Sequence, residues 1–240
     1  MILFPAIDIR GGKCVRLLEG RFDQETIFAD RPADMAIKWE AQGGKYLHIV
    51  DLDGALQGKP VNLVAIRDII ANVSVPVQLG GGIRNLASIE AWLDAGVSRV
   101  ILGSIAVREP DLVKEACRQY GERIVVGIDA KGGEVAVDGW GISGGVQATE
   151  LAKRMADVGV ARIIYTDISR DGTLKGVNVE STVELARAAG IPVIASGGVA
   201  GMDDVYRVAA SPEIEGMIIG KALYTGKIDL AQALCVAEGR

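Results

Sequence analysis

The chain has little of the chemistry most enzymes use near neutral pH. Histidine occurs once, as His48, and cysteine three times, as Cys14, Cys117 and Cys235. No C-x-x-C pair and no His/Cys cluster is present, which excludes the usual zinc spacings, so no metal is expected. An odd cysteine count in a long chain argues against a disulfide scaffold and fits a reducing compartment. Proline is sparse at 7 residues and aromatics make up 5%. No apolar run approaches the ~18 residues a membrane span needs. Met1 to Ile7 is apolar, but Asp8 and Arg10 interrupt it and no basic segment precedes it, so it does not read as a signal peptide. A cytoplasmic protein is expected. A net charge of −5 disfavours broad nucleic-acid binding. If the protein is an enzyme, its acid and base are expected to be carboxylates.

What is abundant is glycine, 31 of 240 residues, about 13% against a usual ~7%. Short apolar runs recur at 2–7, 46–50, 75–79, 99–102, 124–128, 162–165, 192–195 and 216–219. They are rich in Val and Ile and several are continuous, which suits parallel strands buried on both faces. Between them lie helical patterns. In 61–72, Leu63, Ile66 and Ile70 form an apolar face; in 178–188, Val179, Val183 and Ala186 do so. Eight strands alternating with eight helices in 240 residues predict an α/β fold, a (β/α)8 TIM barrel, as a single domain without linkers. A doubly wound sheet is the alternative fold.

An internal repeat sharpens this reading. Asp51 precedes Asp167 by 116 residues, as Lys59 and Asn62 precede Lys175 and Asn178, and as Gly81 and Gly82 precede Gly197 and Gly198. Gly103 precedes Gly220 by 117 and Asp8 precedes Asp129 by 121. The chain therefore reads as two similar half-barrels, about 1–120 and 121–240.

These landmarks end strands, on the face where such barrels carry their active sites. Gly81, Gly82 and Gly103 with Ser104 follow strands three and four; Gly197, Gly198 and Gly220 follow seven and eight. Glycine there lets backbone N–H groups approach an anion. Two phosphate cradles across one mouth imply a ligand with a phosphate at each end, and Arg84 is a candidate to supplement the first. Asp8 and Asp129 end strands one and five, face each other, and form a candidate acid–base pair. Thr166 ends strand six and is a candidate to orient substrate or a carboxylate. Asp51, Asp53, Asp167, Asp171 and Thr173 are read partly as loop-ordering residues, Asn62 and Asn178 as helix caps, and His48 as structural. Segments 9–32 and 130–146 read as long loops that act as lids, with Arg16, Arg21 and an exposed Trp140 as candidates to close over substrate.

The segments PAIDIRGGKCVRL, HIVDLDGA, QLGGGIR, YTDISRDGT, SGGV and IIGKALY together resemble the phosphoribosylformimino-aminoimidazole carboxamide ribotide isomerase family of histidine biosynthesis. The resemblance covers residues 1 to about 228. It implies an Amadori rearrangement of an aminoaldose to an aminoketose, without metal or organic cofactor, on a substrate carrying two phosphoribosyl groups. By this likeness Asp8 is the base at C2′ and Asp129 the acid that opens the furanose, with Asp171 a rival acid and Thr166 in support. Gly172 and Lys221, from the matching segments, join the substrate-binding set. The stretch GWGISGG after strand five departs from the more polar family pattern, and Ser104 stands where threonine is common. The cyclase subunit of imidazole glycerol phosphate synthase is similar, but Ala6-Ile7-Asp8 and Arg16 after Val15 favour the isomerase. A dual isomerase also accepting phosphoribosylanthranilate, and a non-catalytic sugar-phosphate sensor, are the remaining alternatives. A monomer is the default expectation.

Overall fold

The structure, a computed structural model, describes all residues except 138, 139, 141 and 240. Its strands in chain order are β1 (Ile2–Arg10), β2 (Lys13–Leu18), β3 (Arg21–Ala29), β4 (Leu47–Asp51), β5 (Val77–Gly80), β6 (Arg99–Leu102), β7 (Ile124–Lys131), β8 (Glu134–Val137), β9 (Ile142–Gln147), β10 (Ile163–Asp167), β11 (Val193–Ser196) and β12 (Ile214–Ile219). β1, β4, β5, β6, β7, β10, β11 and β12 pair in parallel in that order, and β12 returns to β1. The eight apolar runs of the sequence are thus the eight staves of a closed (β/α)8 barrel, with helices between them.

Period-two alternation decides what faces the axis. On β1, Leu3, Ile7 and Ile9 point outward into the helix-packed core, while Phe4 and Ala6 join the interior cluster with Tyr46, Ile101, Val125, Ile164, Ile194 and Ile218. Further along the same inward-facing rows stand Asp8, Asp129, Thr166 and Ser196. The same alternation that fills the barrel therefore delivers polar side chains to its C-terminal mouth. At the opposite end Tyr46 lies under the Arg99 guanidinium (4.8 Å) and Arg162 pairs with Glu215 at 2.9 Å.

The helix Val179–Ala189 matches expectation within a residue, and Val179, Thr182, Leu185 and Ala186 are its buried positions. Val183 packs only partly, because the face is centred one residue away from it. The helix Leu63–Asn72 buries Ile66 and Ile69, each contributing about 2 kcal/mol by burial. Leu63, expected on that face, is 41% exposed, since it is the first residue of the helix and projects past the barrel wall.

The expected loops 9–32 and 130–146 are instead antiparallel hairpin extensions of β1 and β7. Arg10 pairs with Lys13 across Gly11-Gly12, and Lys131 with Glu134 across Gly132-Gly133. All four glycines have positive φ, from 54° to 84°, as a tight two-residue hairpin turn demands. A further two-residue turn at Glu19-Gly20 joins β2 to β3. In the second segment, residues 138, 139 and 141 of the expected lid lie outside the described residues.

Asn62 does not cap its helix through its side chain. Its Nδ2 donates to Asp51 Oδ1 (2.7 Å) and Asp53 Oδ2 (2.9 Å), and its Oδ1 accepts the Gly12 N–H (2.9 Å). Asn178 does cap, accepting from the Ser181 N–H, and its Nδ2 donates to Asp167 Oδ2 at 2.7 Å. Asp51 also accepts the N–H groups of Gly54, Val61 and Asn62. Asp51→Ala strips these buried donors of their acceptor and is expected to cost about 2 kcal/mol. Urea denaturation checks this; a change below about 0.5 kcal/mol would show that the loop does not depend on the carboxylate.

Candidate active site

The mouth of the barrel is a cleft of about 250 Å³ continuous with a narrower recess. Asp8, Asp129, Thr166, Asp171, Arg84, Gly81, Gly82, Gly103, Ser104 and Trp140 line the cleft. Gly172, Gly197, Gly198, Gly220 and Lys221 line the recess, and Asp8, Arg16, Asp171 and Ser196 are common to both. Apart from Arg21, the residues expected to bind or react therefore face one connected space, with a glycine set at each end. The glycine sets differ in what demands them. Gly81 and Gly197 have φ of 106° and 90°, and a side chain on either would run into the backbone of Asp51 or Asp167; their turns need glycine with or without a ligand. A Cβ on Gly103 would meet nothing within 4 Å, so that end is open space. A Cβ on Gly220 would fall inside the Arg16 guanidinium, which lies directly on this backbone.

Arg16 is the hub of the charged groups. It projects from β2, whose register sets Val15 opposite Asp8, and its Nη1 donates to Asp8 Oδ2 at 2.7 Å. Burial pushes the Asp8 carboxyl up, and Arg16 opposes this. Asp171, on the loop after β10, is pushed up to about 6 by burial, against the pull of Arg16 and with further repulsion from Asp8 and Asp129. Asp8 and Asp171 thus converge on one guanidinium, with Asp129 near Asp171. Asp129 is also raised by burial, but it accepts from the Trp140 indole N–H (2.8 Å) and the Thr166 hydroxyl, both of which favour its ionised form. The parallel register sets Thr166 beside Asp129, which is why strand six carries this hydroxyl.

The two hairpins meet over the mouth. The Glu19 N–H donates to the Asp171 carbonyl at 3.1 Å, and the Trp140 indole packs on Gly20. Trp140 is half-buried rather than exposed, because its ring is held between Asp129 and that hairpin tip. Arg21, expected to close over the site, instead pairs with Asp23 on the outer edge of β3, since the turn at Glu19-Gly20 sends it away from the mouth. Lys221 Nζ donates to the Gly172 carbonyl at 2.9 Å, tying the eighth-strand loop to the sixth.

Two lining residues are not among the expected site residues. Ser196 follows inward-facing Ile194 by two positions, and that alternation was the signal for it. His48 was read as structural, yet its ring lines the cleft. Its Nδ1 is 3.0 Å from Gln78 Nε2, and burial, helped by Arg16, lowers it to about 3, so it is neutral.

A family model described as "Histidine biosynthesis protein" matches residues 2–229. A relative from Rhodospirillum rubrum is 55% identical over 98% of this chain and 99% of its own length. Others from Geobacter sulfurreducens (54%; 99% of this chain and 98% of its own) and Heliobacterium modesticaldum (53%; 100% and 99%) are similar. All three are named 1-(5-phosphoribosyl)-5-((5-phosphoribosylamino)methylideneamino) imidazole-4-carboxamide isomerase. With the barrel closed and its mouth lined by the very segments on which the resemblance rested, the chain belongs to the histidine biosynthesis protein family.

Proposed function

We propose that Asp8 and Asp171 carry out the Amadori isomerisation that this chain catalyses in histidine biosynthesis. Asp171 protonates the furanose ring oxygen, the ring opens, and the anomeric carbon becomes an iminium. Asp8 removes the C2′ proton, giving an enaminol that tautomerises to the aminoketose. Asp8 suits the base because its ion pair with Arg16 keeps a charged carboxylate at the mouth. Asp171 suits the acid because burial, with repulsion from Asp8 and Asp129, pushes it up to about 6, well above the ordinary carboxylate range. At Asp129 the Trp140 indole and the Thr166 hydroxyl oppose the upward push of burial, which makes Asp171 the better acid. Thr166 and Trp140 then fix Asp129 in place.

The single observation that carries the substrate reading is one continuous cleft with a glycine set at each end. The relatives' name contains two phosphoribosyl groups, which supports a phosphate in each cradle. Gly81, Gly82, Arg84, Gly103 and Ser104 would hold one; Gly197, Gly198, Gly220, Gly172 and Lys221, with Arg16, the other. Crystals grown in phosphate are expected to show an anion near both Gly82 and Gly198; an anion at only one counts against the two-cradle reading. A coupled assay is expected to show turnover of the aminoaldose, and the same assay with phosphoribosylanthranilate tests the broader specificity. We read the chain as one domain of two duplicated halves. An acidic monomer with two of its three free cysteines buried suits the cytoplasm and no nucleic-acid partner.

A further inference from the structure

The segment IIGKALY ends on Tyr224, which lines neither the cleft nor the recess, yet touches most of the elements that build the recess. Its hydroxyl donates to the Ala6 carbonyl (2.8 Å) on β1, two residues before Asp8. The Cys14 thiol lies 3.2 Å away on β2 and, with that donor already used, donates to the phenol oxygen. The ring packs against Phe28 of β3 (4.7 Å between centroids) and edge-on to Trp39 (5.4 Å) of the helix Pro32–Ala41. The Arg16 guanidinium lies 5.5 Å from the ring centroid.

We infer that Tyr224 is a positioning residue whose ring face seats Arg16 between Asp8 and Gly220, so that one guanidinium serves the catalytic base and a phosphate cradle together. Arg16 is a long side chain with several accessible rotamers, and two contacts restrain it from the front: Asp8 Oδ2 and the bare backbone of Gly220. A cation is attracted to an aromatic face within about 6 Å. Phe28 and Trp39, packed against the ring, keep that face from turning, and the hydroxyl ties it to the strand that carries Asp8. Gly220 and Tyr224 bound a single short helical turn, Lys221–Tyr224, so cradle and seat move as one piece. This inference rests on Asp8 being the base.

A kinetic experiment separates positioning from mere packing. The ionisable groups around Asp8 are Arg16 and Cys14 from β2, Asp171, His48, Lys221 and Tyr224; of these, Arg16 is the cation paired with it. When Arg16 leaves its seat, Asp8 loses the charge that opposes its burial, and its pKa rises. Tyr224→Leu is expected to move the acid limb of kcat/KM upward by about one pH unit, the usual size of a close ion-pair effect, and to raise KM about tenfold. Tyr224→Met fills the space without a ring face and serves if the leucine variant does not fold. Tyr224→Phe keeps the ring and is expected to restore the limb to within about 0.3 unit, a small part of that ion-pair effect. Arg16→Ala should reproduce the Leu phenotype. An unmoved acid limb in both Leu and Met variants, with Arg16→Ala shifting it, overturns the inference while leaving Asp8 as base. Full activity of Asp8→Asn would remove the base assignment itself.

Discussion

Asp8→Asn is expected to lose about three orders of magnitude in kcat while KM for the aminoaldose changes only a few-fold. Proton abstraction by a positioned base contributes roughly 10² to 10⁴ in rate, and the amide cannot take up the C2′ proton at any working pH. Affinity is expected to survive because it comes from the cradles at the two ends of the cleft, and Asp8 lies between them. The substitution is nearly isosteric, so β1 keeps its register with β2 and β4. Arg16 loses its ionic partner, but the desolvation that raises the Asp8 carboxyl is removed at the same time. The two effects oppose, and Tm is expected to move by only a few degrees. Steady-state kinetics with calorimetric titration of the substrate checks both halves. Full turnover would show that C2′ is deprotonated by another group.

The barrel and the inward carboxylates were legible for one physical reason. Strands buried on both faces leave continuous apolar runs, and within them alternation is rigid. Once Phe4 and Ala6 face the axis, Asp8 must follow, and likewise Asp129 after Val125. The hairpins were not legible in that way. β3 is RFDQETIFA, mostly exposed, with three charged residues, and among the described residues its strand partner is β2; no apolar face announces it. Its turn is Glu19-Gly20, a weak hairpin signal beside Asn-Gly or Asp-Gly. The Gly-Gly pairs at 11–12 and 132–133 are strong hairpin signals, and reading them as generic loop glycine hid two antiparallel extensions. Loops in those places would leave Trp140 exposed and let Arg21 face the site; hairpins do neither. Asn62 was misjudged for a related reason. Its position before a helix fits a cap, but Asp51 and Asp53 form an acceptor pair that only the folded loop assembles. Seat residues such as Tyr224 leave no sequence signal, since their contacts come from four separate elements.

The acid should reveal itself through a trade between stability and rate. Asp171 titrates near 6 in the fold against an ordinary value of 3.8, so the native state binds this proton more tightly than the unfolded chain does. Stability then falls as pH rises through that window: the favourable contribution is complete below about 4 and gone above about 6. At pH 7.5 the ionised, buried Asp171 is a net burden. The full shift corresponds to about 3 kcal/mol, and partial exposure to solvent reduces the expected effect to about 1–2 kcal/mol. Asp171→Asn removes the burden, so its stability should exceed that of the parent by this amount at pH 7.5 and match it near pH 4. Its kcat/KM should fall about a hundredfold, because the ring oxygen no longer receives a proton from a matched acid. The basic limb of kcat/KM belonging to Asp171, near pH 6, should vanish with it. For the parent enzyme, kcat should hold to higher pH than kcat/KM, because a substrate with two phosphates adds negative charge and raises the acid further once bound. An Asp171→Asn enzyme within threefold of full kcat/KM would return the acid role to Asp129. One that loses activity without gaining stability at pH 7.5 would mean that the resting site holds the ionised Asp171 without penalty, and that its proton affinity rises only when the substrate binds.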